Sequence, residues 1–165
     1  APPALRSLTT IAACLLTVQI ILGGLVSSTY AGLACPDWPT CMNGAYFPSW
    51  SGAQGLHLFH RLVGYGCLFA IAIAAASARN FPGAKTWLAT AAVFALLQVV
   101  VGITNVLLRL PVEVTGLHSA LAAGLICSMG VAVYEVWRGT RTKNRDSAAP
   151  LSECYGENHA TPSDI

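Results

Sequence analysis

The sequence predicts an all-α integral membrane protein, a four-transmembrane-helix bundle, on three observations. First, hydrophobic residues make up 55% of the 165 residues and charged ones only 10%, against about a quarter charged in an ordinary soluble domain. Second, four apolar runs reach the roughly 20 residues that a bilayer-spanning helix needs. Third, the basic residues gather on alternate connections. A soluble helical bundle, the alternative that length alone suggests, requires a polar face on each helix, and these runs carry none.

The first helix is expected at about residues 8–26. Its apolar run is longer than the core of a secretory signal, about 7–15 residues, so it reads as an uncleaved span, although Ala31 and Ala34 are small enough to precede a cleavage site. The connection from Ser27 to Gln54 is long, nearly uncharged and rich in Gly, Pro and aromatics. Trp38, Tyr46, Phe47 and Trp50 suit a structured cap at the membrane interface. The second helix, about 55–76, carries His57, His60 and Arg61. A Pro/Gly turn at residues 79–83 leads to the third helix, about 87–108, and a proline-punctuated turn at 109–113 leads to the fourth, about 114–133. Residues 1–138 thus form one transmembrane domain. From Gly139 to Ile165 the chain turns polar and non-periodic and is expected to be a disordered tail, with His159 solvated and Cys154 reduced.

Arg6, Arg79, Lys85, Arg138, Arg141, Lys143 and Arg145 fall at the amino terminus, the second connection or the tail, whereas the first and third connections hold only Arg109. Basic residues stay on the cytoplasmic side. The expected location is therefore a bacterial-type inner (cytoplasmic) membrane, multi-pass, with both termini inside. The net charge of +2 is explained by this topology and gives no reason to invoke nucleic acid.

Ionisable residues within a membrane are costly and suggest function. His60 lies about 9 Å below the outer end of the second helix, and His118 about 7–8 Å below that of the fourth, at 1.5 Å per residue. Two histidines at matched depth on parallel helices suit the axial ligation of one heme iron. Gly64 and Ala122, each one turn below its histidine, leave room for a macrocycle. Arg61 and Arg109 lie near the outer end, where they would pair with heme propionates or snorkel to headgroups. Gln98 and Asn105 share a face of the third helix, with Asn105 at the histidine depth, as cofactor contacts or as interhelical hydrogen bonds. His57 sits one turn above His60 and suits proton handling or a polar contact with the loop. No Glu-x-x-His pair exists to suggest a di-iron bundle.

Cys14, Cys67 and Cys127 fall within helices, as small apolar residues. Cys35 and Cys41 share the outer loop, where a disulfide persists and two prolines favour a turn. A structural staple and a redox pair are both open on the residues alone.

Several of these segments resemble the heme A synthase family. Gly23 to Thr29 followed by Ala31 to Cys41 (AGLACPDWPTC) is similar to the first helix end and outer loop of that family. His60-Arg61 resembles its His-Arg pair, and Gly102 to Pro111 followed by His118 resembles its third turn and fourth helix. The resemblance implies His60 and His118 as axial ligands and a Cys35–Cys41 disulfide, hence a disulfide-stapled outer loop. It also implies oxidation of the methyl group of heme O to the formyl group of heme A, for use by terminal oxidases. Most members have eight helices in two halves, one for substrate and one for a resident heme b; this chain supplies one half. A full enzyme is then expected to need self-association or a partner membrane subunit. The half that handles substrate commonly carries Glu three residues before its ligand histidine, and here that position is His57.

The leading expectation is therefore a heme A synthase-like membrane hemoprotein, with His57 as the catalytic base, receiving substrate from a heme O-producing enzyme. A non-catalytic bis-histidine heme b electron-transfer subunit is the first rival. A disulfide–quinone oxidoreductase is the second, although such relays run between two cysteine pairs. Gly116, Ala120, Gly124 and Ser128 recur at every fourth position of the last helix, and such stripes let membrane helices approach closely. A homo-oligomer packed on that stripe is expected.

Overall fold

The computed structural model describes residues 1–147, so Cys154 and His159 lie outside the described residues. Four helices account for most of it: α1 (Pro3–Ser28), α2 (Gly52–Ser77), α3 (Pro82–Leu107) and α4 (Val112–Ser147). All four are long and apolar enough to cross a membrane, and among the described residues there is no strand beyond one isolated bridge between Met42 and Ala45. α1 and α3 begin before their apolar runs because each starts on a proline, whose fixed φ and missing N–H suit the first helical turn. α4 continues past Val133 to Ser147. Residues 139–147, read from composition as tail, are thus helical, since Arg141, Lys143 and Arg145 are good helix formers once a helix is already nucleated.

Short turns after α2 and α3, and a long connection after α1 that folds back on its own end of the bundle, make the helices alternate in direction. α1 packs on α2 and α4, and α3 packs on α2 and α4, closing a ring in which α2 and α4 stand on one diagonal. The amino terminus, the α2–α3 turn and the C-terminal part of α4 therefore share one end of the bundle. The long connection and the α3–α4 turn share the other.

The apolar core fills only the first of these halves. It is built by Leu5, Leu16, Ile71, Leu88, Met129 and Val136 with small residues between them. At that end Glu135 projects to α3, where a methyl on Gly83 would stand 2.8 Å from its Oε2, and it pairs with Arg138 at 3.1 Å. A carboxylate beside a helix N-terminus complements the helix dipole. The small-residue stripe is partly consumed inside the protomer, which corrects its reading as an outward face. Ser128 is buried, and a methyl on Gly124 would meet the Phe94 ring at 2.9 Å, so these two positions serve the α3–α4 contact. Gly116 and Ala120 are exposed.

Candidate functional site

Where the apolar core stops, polar side chains and glycines take over. His60 stands on α2 and His118 on α4, the two helices on one diagonal of the bundle. Each ring lies against a glycine of the preceding helix. A methyl on Gly23 of α1 would stand 3.3 Å from Cε1 of His60, and one on Gly102 of α3 would stand 3.2 Å from Cε1 of His118. Nδ1 of both histidines is buried without a hydrogen-bond partner, as is Oε1 of both Gln19 and Gln98. Buried polar atoms are normally paired, so four orphans gathered around two imidazoles mark a place built for a ligand.

That ligand fits a heme. Among the described residues no group of three His, Cys, Asp or Glu side chains stands ready to hold a bare ion. Two imidazoles alone leave a metal's coordination shell incomplete, and a porphyrin supplies the remainder. His60 and His118 would be the axial ligands, with Gly23, Gly102 and Ala122 keeping their surroundings small. Gly64 departs from its expected role. Its Cβ position lies 2.9 Å from Nε2 of Gln19, so the room it leaves is taken by that carboxamide, which approaches Nε2 of His60 at 3.5 Å. Gln19 is the residue that sequence reasoning missed. The available signal was the Gln-x-x-x-Gly spacing that recurs in α1 and α3.

Above the histidines the long connection folds back as a cap. After a single 3-10 turn at Ala31–Leu33, Cys35 and Cys41 form a disulfide with an S–S distance of 2.02 Å, and both are buried with Leu58. Backbone bonds Cys41 N to Ala45 O (2.8 Å) and Ala45 N to Met42 O (2.9 Å) close the adjoining turn. Leu110, in the α3–α4 turn, fills the space that a side chain at Gly32 would need, so the cap touches both hairpins. The aromatics expected at the interface are exposed there, with Phe47 and Trp50 stacked at 5.3 Å.

Arg61 is the bolt of this cap. Its Nη2 donates to Cys35 O (2.6 Å), Nη1 to Asp37 O (3.1 Å) and Thr40 O (3.2 Å), and Nε to Nε2 of His57 (3.3 Å). Most of the guanidinium's N–H groups are thus committed, which corrects the expectation that Arg61 pairs with propionates. The helix cannot satisfy these loop carbonyls and water is scarce at this depth, so a cation one turn from His57 takes the role. His57 is 3% exposed and accepts from Arg61, a partner the sequence did not reveal. Trp38 Nε1 donates to the Tyr65 hydroxyl at 3.1 Å, fastening the loop one turn further along α2.

Asn105 takes the interhelical one of its two expected roles. Its Oδ1 accepts from Thr115 Oγ1 at 3.0 Å, and its backbone carbonyl accepts from Leu110 N at 2.8 Å. It therefore ties the start of α4 to the end of α3 and sets where His118 enters the bundle. Arg109 is exposed at φ 64°, in the left-handed turn that Leu110 shares. Two open grooves, of about 580 and 460 Å³, lie at the opposite end, lined by Arg6 and Trp137 and by Lys85 and Phe94 among others. They are remote from the histidines and contribute no chemistry to them.

Comparison with known proteins agrees with this geometry. Residues 1–129 match the family model COX15-CtaA, described as cytochrome oxidase assembly protein. Similar curated proteins include the heme A synthase of Caulobacter vibrioides, 33% identical over 138 residues, covering 74% of this chain and 39% of that protein. The heme A synthase of Methylobacterium sp. is 36% identical over 132 residues, covering 70% and 36%. That of Ruegeria sp. is 38% identical over 120 residues, covering 64% and 31%. The chain thus spans about a third of the length of these relatives.

Proposed function

This chain belongs to the COX15-CtaA family of cytochrome oxidase assembly proteins, and we propose that it is a heme A synthase-type membrane hemoprotein that oxidises the heme O methyl group to the heme A formyl group. The observation that carries the reading is the pair His60 and His118 on diagonal helices, each seated on a glycine, with their Nδ1 atoms buried and unpartnered. A bound heme b would supply electron transfer, and heme O would be the substrate. The protein's own part is to orient two imidazoles and to keep water out from above with the Arg61-bolted cap. Turning a methyl into a formyl group removes four electrons and adds one oxygen atom, so an electron acceptor and an oxygen source from outside this chain are required, and the protons lost from carbon need a nearby acceptor; His57 takes that role when Arg61 releases its Nε2. The histidine end is proposed to face outward, since the basic residues cluster at the other end. A second copy or a partner membrane subunit would supply the half that the longer relatives contain, and a heme O-producing enzyme and a terminal oxidase stand on either side of the reaction.

One observation favours a second reading. His57 Nε2 already accepts from Arg61 at 3.3 Å, and a base so engaged suits a bis-histidine heme b electron carrier that does no chemistry. Co-expression with a heme O-producing enzyme, followed by chromatography of the extracted hemes, separates the two. Hydroxylated heme O or heme A above the control supports synthesis. Heme b alone, with heme O unaltered despite adequate expression and an electron supply, supports the carrier. The pyridine hemochrome of the purified protein tests the heme itself.

A further inference from the structure

The two hairpins of the bundle share one register. α1 and α3 align without a gap: Pro3 with Pro82, Arg6 with Lys85, Gln19 with Gln98 and Gly23 with Gly102. At this same offset the buried positions coincide, Leu5 with Ala84, Ala12 with Ala91 and Leu16 with Ala95. α2 and α4 align likewise. The offset that matches His60 to His118 also matches buried Cys67 to Leu125, Ile71 to Met129, Ala74 to Ala132 and Ala78 to Val136. Shared burial register over two helix pairs, with the same glycine–imidazole contact in each, describes a pseudo-twofold axis running along the bundle between the two histidines.

The symmetry assigns a role to the two glutamines. Gln19 lies one turn from Gly23, the glycine under His60, and its carboxamide reaches that imidazole at 3.5 Å. Gln98 lies one turn from Gly102, the glycine under His118. Its Oε1 is buried without a partner, as is Nδ1 of His118. A carboxamide within an apolar span is costly unless it is paired, and the same cost at equivalent places implies the same use.

We infer that Gln19 and Gln98 are paired positioning residues, each fixing the orientation and proton position of the imidazole in its own hairpin. A carboxamide offers both a donor and an acceptor and so can hold either tautomer. Gly64 makes the first arrangement possible, because a methyl there would collide with the Gln19 amide at 2.9 Å. The counterpart of Gly64 is Ala122, so the two sides are built alike but not identically: Gln19 reaches its imidazole, whereas Oε1 of Gln98 and Nδ1 of His118 stand without partners. This deepens the reading of His60 and His118 as a ligand pair and rests on it only for the consequence to a bound heme.

The test does not need heme. The full chain carries 4 histidines, so the ring nitrogens can be resolved and assigned by single substitution in protein labelled with ¹⁵N-histidine and reconstituted in lipid nanodiscs. Gln19→Leu is expected to move the ring resonances of His60 and to leave those of His118 in place. Gln98→Leu is expected to do the reverse. A carboxamide acting merely as an interhelical contact would move both sets or neither. If Gln19→Leu does not fold, Gly64→Ala should reproduce its effect on His60 by displacing the amide. Unmoved His60 resonances in both of these variants overturn the assignment of Gln19, and unmoved His118 resonances in Gln98→Leu overturn the pairing. In protein purified with heme, each leucine variant should keep its heme and shift the low-spin electron paramagnetic resonance signal. An absence of heme from the wild type would refute the ligand reading and leave the resonance test standing.

Discussion

Replacing Arg61 with methionine removes the bolt of the outer cap while keeping an apolar stem of similar reach. Three loop carbonyls, those of Cys35, Asp37 and Thr40, lose their donor, and His57 loses its partner. A hydrogen bond to a charged group contributes about 1.5–3 kcal/mol net. The lower figure applies here, because Arg61 is only partly buried and two of the carbonyls can be rescued by water as the loop lifts. Taking two bonds as the effective loss gives about 3 kcal/mol, on the order of a hundredfold in the loop-opening constant. The Cys35–Cys41 sulfurs are both 0% exposed, so a small reductant reaches them mainly through that opening. The rate of disulfide reduction, followed by alkylation and mass spectrometry in membranes, should therefore rise by about two decades in Arg61→Met. Arg61→Lys should fall between, since a point cation cannot serve all the carbonyls at once. Heme retention should survive, because His60 and His118 are untouched. A wild-type reduction rate in Arg61→Met would refute the clamp.

Three further outcomes follow from the site. His60→Ala and His118→Ala should each abolish the low-spin spectrum or the retained heme of the purified protein; wild-type spectra in both variants would refute the ligand assignment. Thr115→Val removes the hydroxyl that Asn105 accepts and should lower thermal stability in detergent by about 1 kcal/mol without reducing the heme content. Gly124→Leu forces a side chain into the Phe94 ring and should destabilise the protomer itself by about 1–3 kcal/mol. Its melting temperature, measured at several protein concentrations, should fall by the same amount at each, whereas loss of an oligomer contact would make the fall concentration-dependent.

Much of this molecule was legible in the residues alone. Span length and hydropathy are local quantities that the bilayer reads directly, so four helices and their alternating direction followed from counting. The turn residues marked the connections, and the Cys-Pro-Asp-Trp-Pro-Thr-Cys run marked the stapled loop. Side-chain partners were not legible. Arg61 could be placed near the end of α2, but whether it met a propionate, a headgroup or a carbonyl depended on how residues 29–51 draped over that helix end. Asn105 was visible as a polar residue at histidine depth, yet its bond to Thr115 required the left-handed turn at Arg109 and Leu110. The stripe on α4 failed as an outward face for a related reason. Helices in lipid are apolar all round, so composition does not say which side meets a neighbour, and only the seating of Gly124 on Phe94 decided it. The shared register of the two hairpins was hidden by the same property. Interchange among Leu, Ala, Val and Met erases identity between the hairpins, while burial register, fixed by close packing, preserves it.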